Sequence, residues 1–76
     1  LSLSILHLNI RSIGAGTKFE QFQLMLDEVD FRFDVLCLSE TWLNEVSRNL
    51  YCIDDYAPYH CTRRDCSRGG GVSIFV

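Results

Sequence analysis

Two residues offer chemistry by type and position: Asn9 in LHLNI (6–10) and Glu40 in LCLSETWLN (36–44). Each closes an apolar run that reads as a buried strand. A carboxylate and an amide oxygen meeting at neighbouring strand ends suit a hard cation such as Mg²⁺. That ion takes oxygen ligands, keeps several waters and needs only one or two protein carboxylates. Each residue also has a plainer reading, since a lone Glu after a strand caps a helix or faces solvent and a lone Asn serves a turn. Two ligands also fall short of a hydrolytic centre, which needs a base or water-orienting group and further charge stabilisation. Neither paired carboxylates nor a carboxylate–histidine pair declares itself in the sequence.

Other residues divide between chemistry and structure. His7, two positions before Asn9, offers a base, but its place inside a strand favours a packed, hydrogen-bonded core histidine. Trp42 offers a stacking surface for a nucleobase, yet fits better as a lid on the core edge with its indole N–H satisfied locally. Arg63, Arg64 and Arg68 form a small basic cluster suited to phosphate contacts, diluted by Asp65. Gly69-Gly70-Gly71 lacks the lysine and following helix of a phosphate-binding loop and is assigned to a turn. The four cysteines (37, 52, 61 and 66) show neither zinc-knuckle spacing nor a secretory context. Free thiols, and with them a reducing intracellular location, are the expectation.

These side chains need elements to carry them. LSILHLNI (3–10) is apolar on both faces, as in a strand covered on both sides. RSIGAG breaks it with glycines. Thr17 followed by Glu20 has capping-box spacing, and KFEQFQLMLDEV (18–29) places Phe19, Phe22, Met25, Leu26 and Val29 within an arc of about 120° at helical periodicity. The acidic residues lie outside that arc and read as a solvated face. FDVLCLSE (33–40) is the second strand, so strand, helix and strand form a β-α-β unit with parallel strands and a right-handed crossover. Residues 44–56 read as loop with room for one helical turn. APYHC and VSIFV then form a β-hairpin with a long tip. Ligands of such open parallel sheets bind beyond the strands' carboxyl ends, which is where Asn9 and Glu40 fall.

The chain has 76 residues, 47% of them hydrophobic and 22% charged, with a formal charge of −3. That composition argues against disorder, and the negative balance excludes global attraction to nucleic acid or an anionic membrane. No apolar run approaches the ~20 residues needed to span a bilayer. The apolar start lacks the basic leader and cleavage site of a signal peptide. Strand-like sequence at both ends predicts a piece cut from a longer chain.

LHLNIRSI, FDVLCLSETWLN and YHCTRRDCSRGGGVSIFV, in this order and at these separations, resemble the start of an endonuclease/exonuclease/phosphatase domain. The similarity is greatest to the apurinic-type endonuclease of non-LTR (LINE-like) retrotransposons. It extends over all 76 residues, which correspond to about the first third of such a domain. The resemblance implies an α/β fold, the N-terminal part of a four-layer α/β sandwich. It also implies a hydrolase dependent on Mg²⁺ or Mn²⁺ that nicks DNA to prime a downstream reverse transcriptase domain, acting in the nucleus. Asn9 matches the family's active-site Asn and Glu40 its metal-binding Glu. Arg11 stands where relatives outside this branch carry an acidic residue, which leaves a second ligand there unsupported. Arg11, Arg63, Arg64 and Arg68 are the candidate nucleic-acid contacts. The family's central Tyr, its Asp-x-Asn pair, a later Asp and the terminal Asp-His are absent from these residues. The segment alone is therefore expected to be inactive, and to fold poorly with one apolar sheet face unpartnered. The alternatives are another phosphodiesterase or phosphatase of the same fold, a non-catalytic genomic remnant and, lowest, a small disulfide-stapled binding module.

Overall fold

Apolar runs broken by glycines and one amphipathic stretch give the chain its elements. In the computed structural model, which describes residues 2–62 and 69–76, they are β1 (Ile5–Asn9), α1 (Lys18–Glu28), β2 (Val35–Ser39), a 3-10 turn (Arg48–Leu50), β3 (Pro58–Cys61) and β4 (Val72–Phe75). The strands make one mixed sheet in the order β1-β2-β4-β3. β1 and β2 are parallel, and β4 is antiparallel to both β2 and β3. The β-α-β unit and the hairpin thus share a sheet, with the last strand inserted beside β2.

The parallel register is fixed at the amino ends of its two strands. The Asp34 carboxylate accepts the backbone N–H and the hydroxyl of Ser4 (2.9 and 3.0 Å), and the Asp34 N–H returns a bond to the Ser4 hydroxyl at 2.9 Å. These bonds, chiefly the Ser4 N–H, hold the Asp34 pKa below the usual carboxylate range. From that clamp Ile5 pairs with Val35, and the ladder runs to Asn9 opposite Ser39. A slip of one residue would exchange the two faces of β1.

One face of the sheet is covered. Leu36, Leu38 and Phe75 join Ile10, Phe19, Phe22, Leu43 and Ile53 in a single core cluster. Phe19 and Phe22 lie one helical turn apart on the inner face of α1, each contributing about 2–3 kcal/mol by its burial. Tyr51 meets Phe19 edge-on at 5.1 Å. The apolar stripe of the helix is narrower than its periodicity predicts, because Met25 and Val29 remain 36% and 37% exposed. The opposite sheet face carries Ile5, Tyr59, Val72 and Ile74, all exposed. Among the described residues, then, the expected cover on both faces is present on one only, and the architecture is a small mixed α/β unit with one helix.

Three local expectations are corrected. The capping box does not form: Thr17 has φ −110° and ψ 23°, away from the extended conformation a side-chain cap needs, and makes no cap bond. Its hydroxyl accepts from Gln21 Nε2 at 3.1 Å instead. His7 is hydrogen-bonded, to the Ser39 hydroxyl at 3.1 Å, but it is exposed rather than in the core, because its face of β1 has no cover. The half-buried histidine is His60, whose Nδ1 lies 2.6 Å from the Ser73 hydroxyl and whose ring meets Phe75 edge-on. Burial pushes the His60 pKa down. The third correction is Trp42, whose indole N–H is buried with no partner among the described residues. Cys37, Cys52 and Cys61 are free thiols. No helix among the described residues is long and apolar enough to cross a membrane.

Candidate metal centre at the carboxyl ends of β1 and β2

Because β1 and β2 are parallel, both chains leave the sheet at the same end. Asn9 closes β1 opposite Ser39, and Glu40 is the next residue along β2's path. Beyond β1 the chain bends sharply, with Arg11 at φ 45° and Ser12 at φ 72°. The bend keeps the main chain alongside β2's continuation: Ile10, Ser12 and Ile13 donate to the carbonyls of Ser39, Glu40 and Thr41 at 3.0, 2.8 and 3.0 Å. The Lys18 ammonium closes it from below, donating to the carbonyls of Ile10 and Arg11. Charge-assisted donors of this kind are roughly twice as strong as neutral ones.

On its other side, segment 40–42 is held by the glycine run. Thr41 and Trp42 donate to the carbonyls of Gly71 and Gly70 at 3.2 and 2.9 Å. The Gly70 N–H in turn donates to Glu40 Oε2 at 2.7 Å. Glu40 is therefore tied through its main chain to the β1 turn and through its side chain to the glycine run. One N–H uses little of a carboxylate's acceptor capacity, which spans two oxygens and about four lone-pair sites. The close approach demands glycine: at Gly71 (φ +84°) a Cβ would stand 2.7 Å from the Thr41 hydroxyl, itself fully buried. The run does serve a turn, as its spacing suggests. Its grip on Glu40 was not legible, because it joins residues thirty positions apart.

The rim is also where the backbone is strained. Arg11, Ser12, Glu40 and Trp42 all have positive φ, and Asp55 is the only other non-glycine residue so placed among those described. Such conformations cost on the order of 1–3 kcal/mol each, persist only where surroundings over-determine them, and gather at functional sites.

The candidate ligands are unequally prepared. Asn9 Oδ1 accepts the Arg11 N–H at 3.2 Å, an Asx-type bond within its own turn. A carbonyl oxygen has a second lone pair, so the bond does not exhaust it. Glu40 supplies the anionic charge. Among the described residues no cluster of three or more His, Cys, Asp or Glu side chains could hold a metal. By donor type, one carboxylate and one amide at neighbouring strand ends would suit a Mg²⁺ that retains most of its waters or is completed by phosphate oxygens. Arg11 is exposed at the same turn. Arg63, Arg64 and Arg68, the other candidate nucleic-acid contacts, lie outside the described residues. No protein-family model matches the chain, and no curated protein matches it.

Proposed function

We propose that this chain is the N-terminal part of a divalent-metal-dependent DNA endonuclease of the endonuclease/exonuclease/phosphatase type, of the kind carried by non-LTR retrotransposons. The observation that supports the reading is the parallel register, which ends β1 at Asn9 opposite Ser39, the residue before Glu40. Three features support it: the motif string LNIRS, SETWL and RGGGV; the Glu40 carboxylate held by Gly70; and an apolar second sheet face of the sort a four-layer sandwich covers with another sheet. A bound Mg²⁺ would act as a Lewis acid on a phosphodiester oxygen. Glu40 would hold that ion, Asn9 would orient it or the phosphate, and Arg11 would contact the DNA backbone. The base and the remaining charge stabilisation would come from outside these 76 residues, with a reverse transcriptase as the downstream partner in the nucleus.

The test has two arms. Mn²⁺ added to the isotopically labelled chain should broaden the amide resonances of residues 9–12, 39–41 and 70–71 before others. Glu40→Gln should weaken that binding at least about tenfold, the lower end of what losing even an outer partner of a metal ligand costs. In a longer protein carrying this segment, nicking of supercoiled plasmid should need Mg²⁺ or Mn²⁺ and be lost with Glu40→Gln. Broadening spread evenly over the acidic residues would sink the cation assignment, and metal-independent nicking would sink the enzyme assignment.

A further inference from the structure

At the end of the sheet remote from Glu40, a groove of about 510 Å³ runs between the end of α1, the 29–33 turn and the 53–56 loop. Its apolar lining includes Val29 and Phe31, 37% and 57% exposed. Phe31 is propped edge-on against Phe33 at 5.0 Å, an arrangement that displays an aromatic surface instead of burying it. Around this lining stand Asp27, Asp30, Asp54 and Asp55, all exposed.

The charge is concentrated here. Four aspartates against Arg32 leave the groove three charges negative, the same as the formal −3 of the whole chain, so the acids and bases elsewhere balance, six against six. Arg32 is already engaged: it donates to the Asp55 carbonyl at 2.8 Å, lies 3.8 Å from the Asp55 carboxylate, and stacks over Tyr56 at 4.5 Å. The negative pole of α1 points to the same place, and the last helical turn has no basic residue to offset it. Among the described residues no three carboxylates converge closely enough to hold a metal ion. The negative charge is instead distributed around a lining of mixed character that includes exposed apolar side chains, which favours a ligand both cationic and hydrophobic.

We infer that this groove docks a basic peptide segment of a partner protein, with one aromatic or leucine side chain on Val29 and Phe31 and flanking lysines or arginines facing the aspartates. Charge complementarity of this type governs partner choice and association rate, and is screened by salt. The site is separate from the Glu40 rim and does not depend on the nuclease reading.

Two fluorescein-labelled 12-residue peptides test it, one with a central Leu-Phe pair flanked by lysines, the other identical but with glutamates for the lysines. Anisotropy titrations use a longer protein carrying this segment, its folded state followed by circular dichroism. The basic peptide should bind at least about tenfold more tightly than its acidic counterpart, and raising salt from about 50 to 300 mM should remove most of that difference. Asp30→Asn with Asp54→Asn should weaken binding about tenfold, whereas Glu20→Gln with Glu45→Gln, removing two charges elsewhere, should change it less than about twofold. Phe31→Ala, with every charge intact, should also weaken it about tenfold. Failure of the basic peptide to bind, equal losses from the two double variants, or indifference to Phe31→Ala would each overturn the proposal.

Discussion

The two ends of the sheet are built by different means. At the carboxyl ends of β1 and β2 the organisation is main-chain: three adjacent segments cross-linked by N–H···O bonds, strained residues held in place, and glycines where no side chain fits. At the opposite end it is side-chain: aspartates, an arginine over a tyrosine, and a phenylalanine open to solvent around a groove. The first end holds one carboxylate against a backbone N–H; the second spreads four exposed aspartates around a groove, with Arg32 ion-paired to Asp55. A site for a small hard ion needs the former, and a surface for a flexible partner tolerates the latter. Backbone changes should therefore damage one end and charge changes the other.

The largest effect should come from a residue the ends share. Phe75 is fully buried and its strand pairs with both β2 and β3. Phe75→Ala should cost about 3–5 kcal/mol, enough in so small a core to leave the sheet unfolded. Structure surviving at one end alone, seen by hydrogen exchange, would mean that the ends are separate folding units. Next is Gly71→Ala, expected to cost about 2–3 kcal/mol from the left-handed backbone and the clash with Thr41. Urea titration should show that loss, and chemical-shift changes should concentrate at residues 40–42 rather than 53–56. By contrast Asp30→Asn with Asp54→Asn should alter stability by less than about 0.5 kcal/mol in either direction, since both side chains are exposed. A larger loss would show that the groove's charges are structural.

Acid should act in two small stages. Burial lowers the His60 pKa, so the folded chain resists a proton the unfolded chain accepts, and stability is intact above about 6.5 and declines below it. The Ser4 bonds lower the Asp34 pKa, and the Thr62 hydroxyl and Arg48 lower that of Glu45, so their contributions are intact above about 4.5 and are lost as pH falls through the folded values. Urea midpoints measured across this range should fall in those two windows, and His60→Gln should remove the upper one.

Local pattern made much of this legible. The two apolar runs 3–10 and 33–40 and the 3.6-residue period of 18–29 marked β1, β2 and α1, and their order implied the parallel pairing. APYHC and VSIFV gave the hairpin. What stayed hidden is non-local. Nothing in VSIFV says that β4 lies beside β2 rather than at an edge, and nothing in RGGGV says that its middle amide reaches Glu40. The Lys18 bonds across the β1 turn and the exchange of roles between His7 and His60 depend likewise on which face is covered. Helical spacing also overstated the buried stripe: Phe19 and Phe22 are buried and Leu26 packs partly against the core, whereas Met25 and Val29 stay exposed.

The position of β4 beside β2 has a consequence in time as well as in space. During vectorial synthesis β1, α1 and β2 emerge first and can assemble from contacts of modest sequence separation. Glu40 cannot be seated until residues 70–75 arrive to fill the slot, a loop closure spanning thirty positions. A nascent chain would carry a half-made rim with no fixed carboxylate until that strand is in place.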